Sequence, residues 1–394
     1  MTATVDLLYS DTERELQSAL RSVLLDRATP AAVLALTEQP DTCDTGLWHT
    51  IAADIGVAGL LIPEALGGAG ASARELAAAA EELGAAIAPI PYLGSAAAAT
   101  AALLSAAHAS AARPDDTAPS PAAALLKQLA TGDATAVLAV GFDAGPGATI
   151  RSGARVSGSK PGDAAEGITR LRGAIPGVAD ALHAGLLLVP ADGVPDALYV
   201  VEADAPGVHR APVVSLDMTR QLCDITFDDA PARRVAADAD ARAALSAGLT
   251  AGAVVLAAEQ LGLAQRCLDM TVAYAKERHQ FARPIGSFQA VKHRLADLWT
   301  AIAQARAVSR YAAACLAAGD PDVPVATALA KSACSDVAVL AAEECVQLHG
   351  GIGFTWEHPA HLYLKRAKAS SVGYGTPGAH RAALADLVNL PAPT

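Results

Sequence analysis

Apolar positions recur at helical spacing from near the start of the chain. Leu16, Ala19, Leu20, Val23 and Leu24 fall on one helix face, and Ser10 with Glu13 ahead of them has the form of a capping box. A second box, Ser72 with Glu75, precedes Leu76, Ala80, Leu83 and Ile87. Between the two helices, GLLIPEALGGAG (Gly59 to Gly70) gathers Pro and Gly as a loop does. From Ala106 to Ala122 the chain is Ala, Pro, Asp and Ser without a period, the texture of an interdomain connection, which puts a boundary near residue 120. Short β-type runs follow at Ala136 to Val140, Leu186 to Val189 and Leu198 to Val201, separated by turns such as PADGVPD. Cys223 to Asp228 alternates apolar and polar, the period of a half-exposed strand. Long helical patterns then return at 243–276, 288–318, 324–348 and 360–371. The pattern predicts a mainly α protein with a small β domain: a helical domain over 1–120, a middle β domain over 121–236 and a C-terminal four-helix bundle over 237–394.

Composition sharpens this picture. Of the 394 residues 52 % are hydrophobic but only 4 % aromatic, alanine dominating, which favours closely packed helices over a sheet-rich interior. A net charge of −12 without a dense basic run argues against nucleic acid or an anionic membrane surface as partner. The six cysteines form no C-x-x-C pair and no zinc spacing, so they read as buried small hydrophobes of a reducing cytosol, with no metal expected. The N-terminal text lacks the basic start and apolar core of a signal peptide, and a cytoplasmic location is the expectation. The longest apolar run, Gly248 to Ala258, is broken by Glu259 and Gln260 and reads as a buried helix, not a membrane span. No G-x-G-x-x-G follows a strand, so a bound dinucleotide must be held in some other way.

The most informative segment is YAKERHQFARPIGSFQAVKHRLADL (Tyr274 to Leu298). Arg278 ends one helix, Phe281 to Ser287 turn through Pro284 and Gly286, and Phe288 opens the next helix. A fixed cation beside a tight turn suits a pyrophosphate, which a guanidinium holds through two hydrogen bonds. A second segment, VQLHGGIGFTWEHPAHLYLKRAK (Val346 to Lys368), places Gly350, Gly351 and Gly353 just past a long helix. Alone, such an arginine is a solvated helix-end charge and such glycines are a C-cap. Together, the first segment resembles the acyl-CoA dehydrogenase signature Y-A-x-x-R-x-Q-F-x-x-P-I-x-x-F-Q-x-x-x-H-x-L-A-D, and the second resembles that family's Q-x-x-G-G-x-G-F-T-x-E-x-P. GLLIPEALGGAG and LDMTRQLCDITFDD (Leu216 to Asp229) are similar to further stretches of the family and carry no assigned chemistry.

The resemblance implies an N-terminal helical domain, a middle β-barrel-like domain and a C-terminal bundle, with FAD bound between subunits of a homo- or hetero-tetramer. It assigns flavin contacts to Arg278 and Gln289, more loosely to Gln280 and Phe281, then to Gln347, Gly350 and Gly351, and to Thr376. It implies α,β-dehydrogenation of an acyl-CoA, a carboxylate removing the Cα proton while hydride leaves Cβ for the flavin, with electrons passing to an electron-transfer flavoprotein or similar acceptor. Yet the family's base, the Glu of Y-E-G-T-x-x-x-x-R, is replaced here by Tyr374, and the alternative position on the preceding helix is Gly252. Glu259, about two turns or roughly 10 Å further along, is a weak substitute candidate. Where the family has T-E-P-x-x-G-S beside the flavin ring, this chain has Gly141 to Gly147, GFDAGPG. The retained and missing parts describe half a site. The implied function is an FAD-dependent acyl-CoA dehydrogenase with a substituted base or as one subunit of a heteromer; the alternatives are a catalytically silent partner subunit, or a different flavin reaction on the same scaffold.

Overall fold

The computed structural model describes residues 6–112, 120–147, 153–158, 163, 167–192 and 197–391. Part of the linker expected at Ala106 to Ala122 and of the PADGVPD turn therefore lies outside the described residues.

The chain opens with α1 (Asp11–Arg27), α2 (Pro30–Thr37), α3 (Thr45–Ala53) and α4 (Ala73–Ala85), then a π-helical stretch Tyr92–Ala99 that runs into α5 (Thr100–Ala111). Both capping boxes form. Glu13 N–H donates to Ser10 Oγ at 3.2 Å and Ser10 N–H to Glu13 Oε2 at 2.5 Å, and Ser72 and Glu75 are paired in the same way. Glu13 also takes the Arg74 guanidinium at 2.8 Å, so the residue that starts α1 pins it to α4. The Gly59 to Gly70 segment is a loop that follows a short 3-10 turn, Val57–Gly59, and contains another, Glu64–Leu66. A further helix, α6 (Pro121–Leu129), packs back on α5.

The β domain holds β1 (Ala136–Leu138), β2 (Ala154–Gly158), β3 (Ile168–Ala179), β4 (Leu186–Asp192), β5 (Ala197–Glu202), β6 (Val208–Val213) and β7 (Leu222–Ala237). β4 pairs with β5 along one edge and with β1 and then β2 along the other; β2 pairs with β3, β3 with β7, and β7 returns to β5. Five strands thus close a ring, with β6 added to β7. Side chains alternate between two cores: Leu186 and Leu188 face the helices, while Leu187 and Val189 fill the ring. That double burial is why β4 and β5 read as unbroken apolar runs. The period of β2, β3 and β6 is obscured by Gly, Pro and Arg; Pro176 of β3 falls at a register shift and Pro212 lies on the edge strand β6.

The bundle consists of α7 (Asp238–Glu277), α8 (Gln289–Ala318), α9 (Val323–His349) and α10 (Ala360–Val372), followed by α11 (Pro377–Leu387), a short helix that the periodicity did not reveal and that Thr376 caps. A two-residue pair, β8 (His279–Gln280) with β9 (Arg283–Pro284), links α7 to α8. The run around Gly248 to Ala258 belongs to a 40-residue helix that is long and apolar enough to cross a membrane, although 67 % of its apolar window is buried inside the chain.

The tightest crossing is α4 on α7. A Cβ on Gly84 would lie 2.0 Å from the Glu259 carbonyl oxygen, and one on Gly262 1.8 Å from that of Glu81. Gly262→Ala adds a methyl against backbone that has to move, a cost of about 1–3 kcal/mol that outweighs the gain in helix propensity of about 1 kcal/mol. The thermal midpoint is expected to fall on calorimetry, and a rise would contradict this reading of the crossing.

Lys331 of α9 is fully buried, its Nζ donating to Ser335 Oγ at 2.7 Å, the Ser370 carbonyl at 3.2 Å and the Gly375 carbonyl at 3.4 Å. Burial pulls its ammonium from 10.5 down to about 7, with Cys334 and Asp336 opposing the shift only in part. The folded chain then binds fewer protons than the unfolded one between those two values, so this lysine makes stability rise with pH through that window. Urea unfolding at several pH values is expected to show a steeper rise for the wild type than for Lys331→Met; equal slopes would refute the assignment.

Candidate functional site

Two turns at one end of the bundle carry most of the residues singled out from the sequence. Tyr274 O accepts the Arg278 N–H at 2.9 Å, closing α7, and Arg278 turns to extended backbone at φ −72° and ψ 122°. The next six residues make a tight hairpin in which both central residues, Phe281 and Ala282, have positive φ, at 52° and 60°. Its far strand is held by Ile285 N–H on the Arg278 carbonyl at 2.8 Å, and α8 then starts at Gln289. Arg278, Gln280, Phe281 and Gln289 are all exposed, and among the described residues no carboxylate pairs with Arg278.

The second turn follows α9. Gly350 takes φ +63° and ψ −138°, a backbone conformation that calls for glycine, and a Cβ on Gly350 or Gly351 would meet nothing within 4 Å. Gln347 is exposed beside them. The ring of His349 stacks on that of Tyr274 with centroids 4.5 Å apart, and its Nδ1 lies 2.6 Å from the Cys345 carbonyl oxygen. This contact joins the roots of the two turns, so the arginine turn and the double-glycine turn adjoin within a single chain. An exposed guanidinium beside open glycine backbone fits the phosphate side of a dinucleotide.

Tyr374, at the family's base position, is elsewhere. It touches α7 at Gly252, which precedes Arg278 by 26 residues on one helix, a rise of about 39 Å. The phenol ring fills a notch left by that glycine: a Cβ there would lie 2.4 Å from ring carbons and 2.8 Å from the hydroxyl oxygen. Tyr374 is 7 % exposed and its φ is +51°, an uncommon conformation for a bulky residue. Its N–H donates to the Phe142 carbonyl at 2.7 Å, its ring meets Phe142 edge-on at 5.9 Å, and its carbonyl oxygen lies 2.8 Å from His380 Nε2. Burial pushes the phenol well above its ordinary pKa, with Asp180 and Glu259 adding to the effect. Such a group does not take a proton from carbon near neutral pH. Phe142 in turn packs against Gly373, where a Cβ would lie 2.4 Å from its ring. Thr376, grouped with the flavin contacts by sequence, sits at this end as the N-cap of α11.

Glu259 is not placed to serve as a base. Its oxygens accept Arg220 Nη2 at 2.8 and 2.6 Å and Arg366 Nε at 2.9 Å, and it is 6 % exposed. Burial alone would raise its carboxyl; the two guanidiniums hold it below the ordinary value and occupy both of its oxygens. Arg366 also reaches Thr219 Oγ1 at 3.1 Å and Asp217 at 3.4 Å. The LDMTR stretch, to which the sequence reading gave no chemistry, thus supplies Asp217, Thr219 and Arg220 to a buried network. Three further polar groups were missed: Arg366 and Lys331, both buried, and the half-buried Asp180, which accepts the Gly94 N–H at 3.0 Å. Polar residues scattered over unconnected segments give no periodic signal; their meeting is a tertiary event.

Residues 10–114 match the family model described as the N-terminal domain of acyl-CoA dehydrogenase, and 241–388 match its C-terminal domain. Acyl-CoA dehydrogenase IpdE2 of Mycobacterium tuberculosis is 36 % identical over 360 residues, 90 % of this chain and 91 % of the relative. Acyl-CoA dehydrogenase FadE34 of the same organism is 32 % identical over 371 residues, 93 % of this chain and 46 % of that longer protein. Among solved structures, the ChsE4-ChsE5 complex of M. tuberculosis superposes with a TM-score of 0.82 at 28 % identity, covering 98 % of this chain and 100 % of that one. A variant of the Tcur3481-Tcur3483 steroid ACAD gives 0.79 at 30 % identity, covering 96 % and 98 %. With both terminal domains matched and a full-length relative more than a third identical, the chain belongs to the acyl-CoA dehydrogenase family.

Proposed function

We propose that the chain is one subunit of a heteromeric, FAD-dependent acyl-CoA dehydrogenase and that its half site completes the flavin site of a partner subunit. Its Arg278 and Gly350 turns would hold the diphosphate and adenine side of the flavin. The carrying observation is the Tyr374 ring seated in the Gly252 notch: both positions from which the family supplies a base are taken up by one packed aromatic.

The residues divide the work accordingly. The bound flavin supplies a hydride acceptor, and the partner's carboxylate removes the Cα proton of the thioester. Arg278 orients and neutralises the diphosphate, and Gly350 and Gly351 let it approach the backbone. Tyr374, Phe142 and the Glu259 network keep water and substrate out of this chain's own acyl position. Heteromeric relatives, one of them described as a steroid ACAD, favour a tetramer of two chain types acting on a bulky sterol-derived acyl-CoA and passing electrons to an electron-transfer flavoprotein. The six cysteines, all free, favour the cytoplasm.

The deciding experiment records the visible spectrum of the chain purified alone and co-purified with an acyl-CoA dehydrogenase chain that carries the Glu. Alone it is expected to be nearly colourless and unbleached by acyl-CoA, gaining flavin with the partner; a yellow homo-oligomer bleached by acyl-CoA would overturn the proposal. Arg278→Ala in the co-purified complex is expected to weaken flavin binding about 10- to 100-fold by fluorescence titration, the worth of a charge-assisted bidentate contact. Tyr374→Glu is expected to leave the isolated chain inactive, because Phe142 and the Arg220–Glu259 pair still fill the site; dehydrogenation by that variant alone would count against closure.

A further inference from the structure

Away from both ends of the candidate site, α1, α4, α7 and α8 line a half-open cavity of about 460 Å³. Neither Tyr374 nor the Arg278 and Gly350 turns line it. Four arginines do: Arg21, Arg266, Arg306 and Arg310. Arg21 is satisfied, its guanidinium paired with Glu82 through contacts of 2.9 and 2.5 Å. The other three keep donors to spare. Among the described residues Arg266 and Arg306 have no carboxylate at ion-pair distance, Arg306 donating only to the neutral Gln265 Oε1 at 2.6 Å. Arg310 Nε is buried without a hydrogen-bond partner, 3.9 Å from Glu81 Oε1. Glu81 is itself engaged by the Tyr9 hydroxyl, and burial raises its carboxyl. The remaining wall includes Leu24, Leu25, Ala28, Ala85 and Leu261.

We infer that this cavity is a binding site for an organic monoanion, a single carboxylate on a hydrocarbon body. Planar guanidiniums with free donors match a carboxylate bidentately, and the leucine and alanine wall suits an aliphatic body. A volume of this size lies within the roughly 300–1,000 Å³ usual for small-molecule sites. The carboxylates of Glu81, Glu82 and Asp269 on the same wall select against polyanions such as nucleotides. The site does not depend on the flavin reading, since it shares no residue with it.

Isothermal titration of the full chain with octanoate, 1-octanol and adenosine diphosphate tests this. Octanoate is expected to bind at least tenfold more tightly than 1-octanol, and Arg266→Gln and Arg306→Gln are each expected to weaken octanoate about tenfold while leaving 1-octanol unchanged. Leu25→Asp, at a position 68 % exposed on α1, places a like charge at the cavity without disturbing the core, and is expected to weaken octanoate even if an arginine variant fails to fold. Equal affinity for octanoate and 1-octanol, octanoate binding indifferent to these substitutions, or adenosine diphosphate bound more tightly than octanoate through Arg266 and Arg306 would overturn the inference.

Discussion

A single unbroken helix sets the geometry of this chain. At 40 residues α7 rises about 60 Å, and it carries the Gly252 notch and the Arg278 turn at points about 39 Å apart. A rigid rod of that length cannot fold back to bring one to the other. A group seated at Arg278 is therefore remote from this chain's Tyr374.

The middle of the rod is held by charge. Glu259 of α7, Arg366 of α10 and the Asp217–Thr219–Arg220 stretch before β7 meet where the bundle, the β domain and the N-terminal helices converge. Such buried pairs add little net stability because of desolvation, but removing one member strands the others at a cost of about 3–5 kcal/mol. Arg220 leaves its Nε and Nη1 without hydrogen-bond partners, normally a penalty of about 1–3 kcal/mol for a buried group. Its guanidinium lies 5.1 Å from the Phe142 ring centre, and that ring's negative face offsets part of the loss. The aromatic plug and the ion network thus stabilise each other.

Much of this was legible in the sequence, for reasons that can be named. The boxes at Ser10 and Ser72 are local, needing only residues three apart, and strands β4 and β5 announced themselves because both their faces are buried. Strands β2, β3 and β6 did not, since bulges, an edge position and arginines erase the period. The Arg278 and Gly350 turns were found through closely spaced motifs, and their placement side by side through the Tyr274–His349 stack depends on how α7 and α9 pack. Thr376 was assigned to the flavin by motif; its position beside Tyr374 places it at the opposite end from Arg278. The absence of Glu at position 374 could be read directly, but not what the tyrosine does there, because its partner Gly252 lies more than a hundred residues away.

Tyr374 and Gly252 are complementary in a strict steric sense. The ring fits because position 252 has no Cβ, and any side chain at 252, a carboxylate included, has to displace the ring first. A pocket that merely lost its carboxylate would remain open, and an apolar void destabilises by about 24 cal/mol for each Å³ left empty. Here the space is taken by an aromatic side chain packed on Phe142, its backbone pinned by the Phe142 carbonyl and by His380, with Lys331 anchoring the adjoining Gly375 carbonyl. The closed state is therefore a well-packed structure in its own right, and opening it would mean breaking an aromatic contact and several hydrogen bonds in one step. That is the physical difference between a chain whose active site is impaired and one whose fold is completed by closing it.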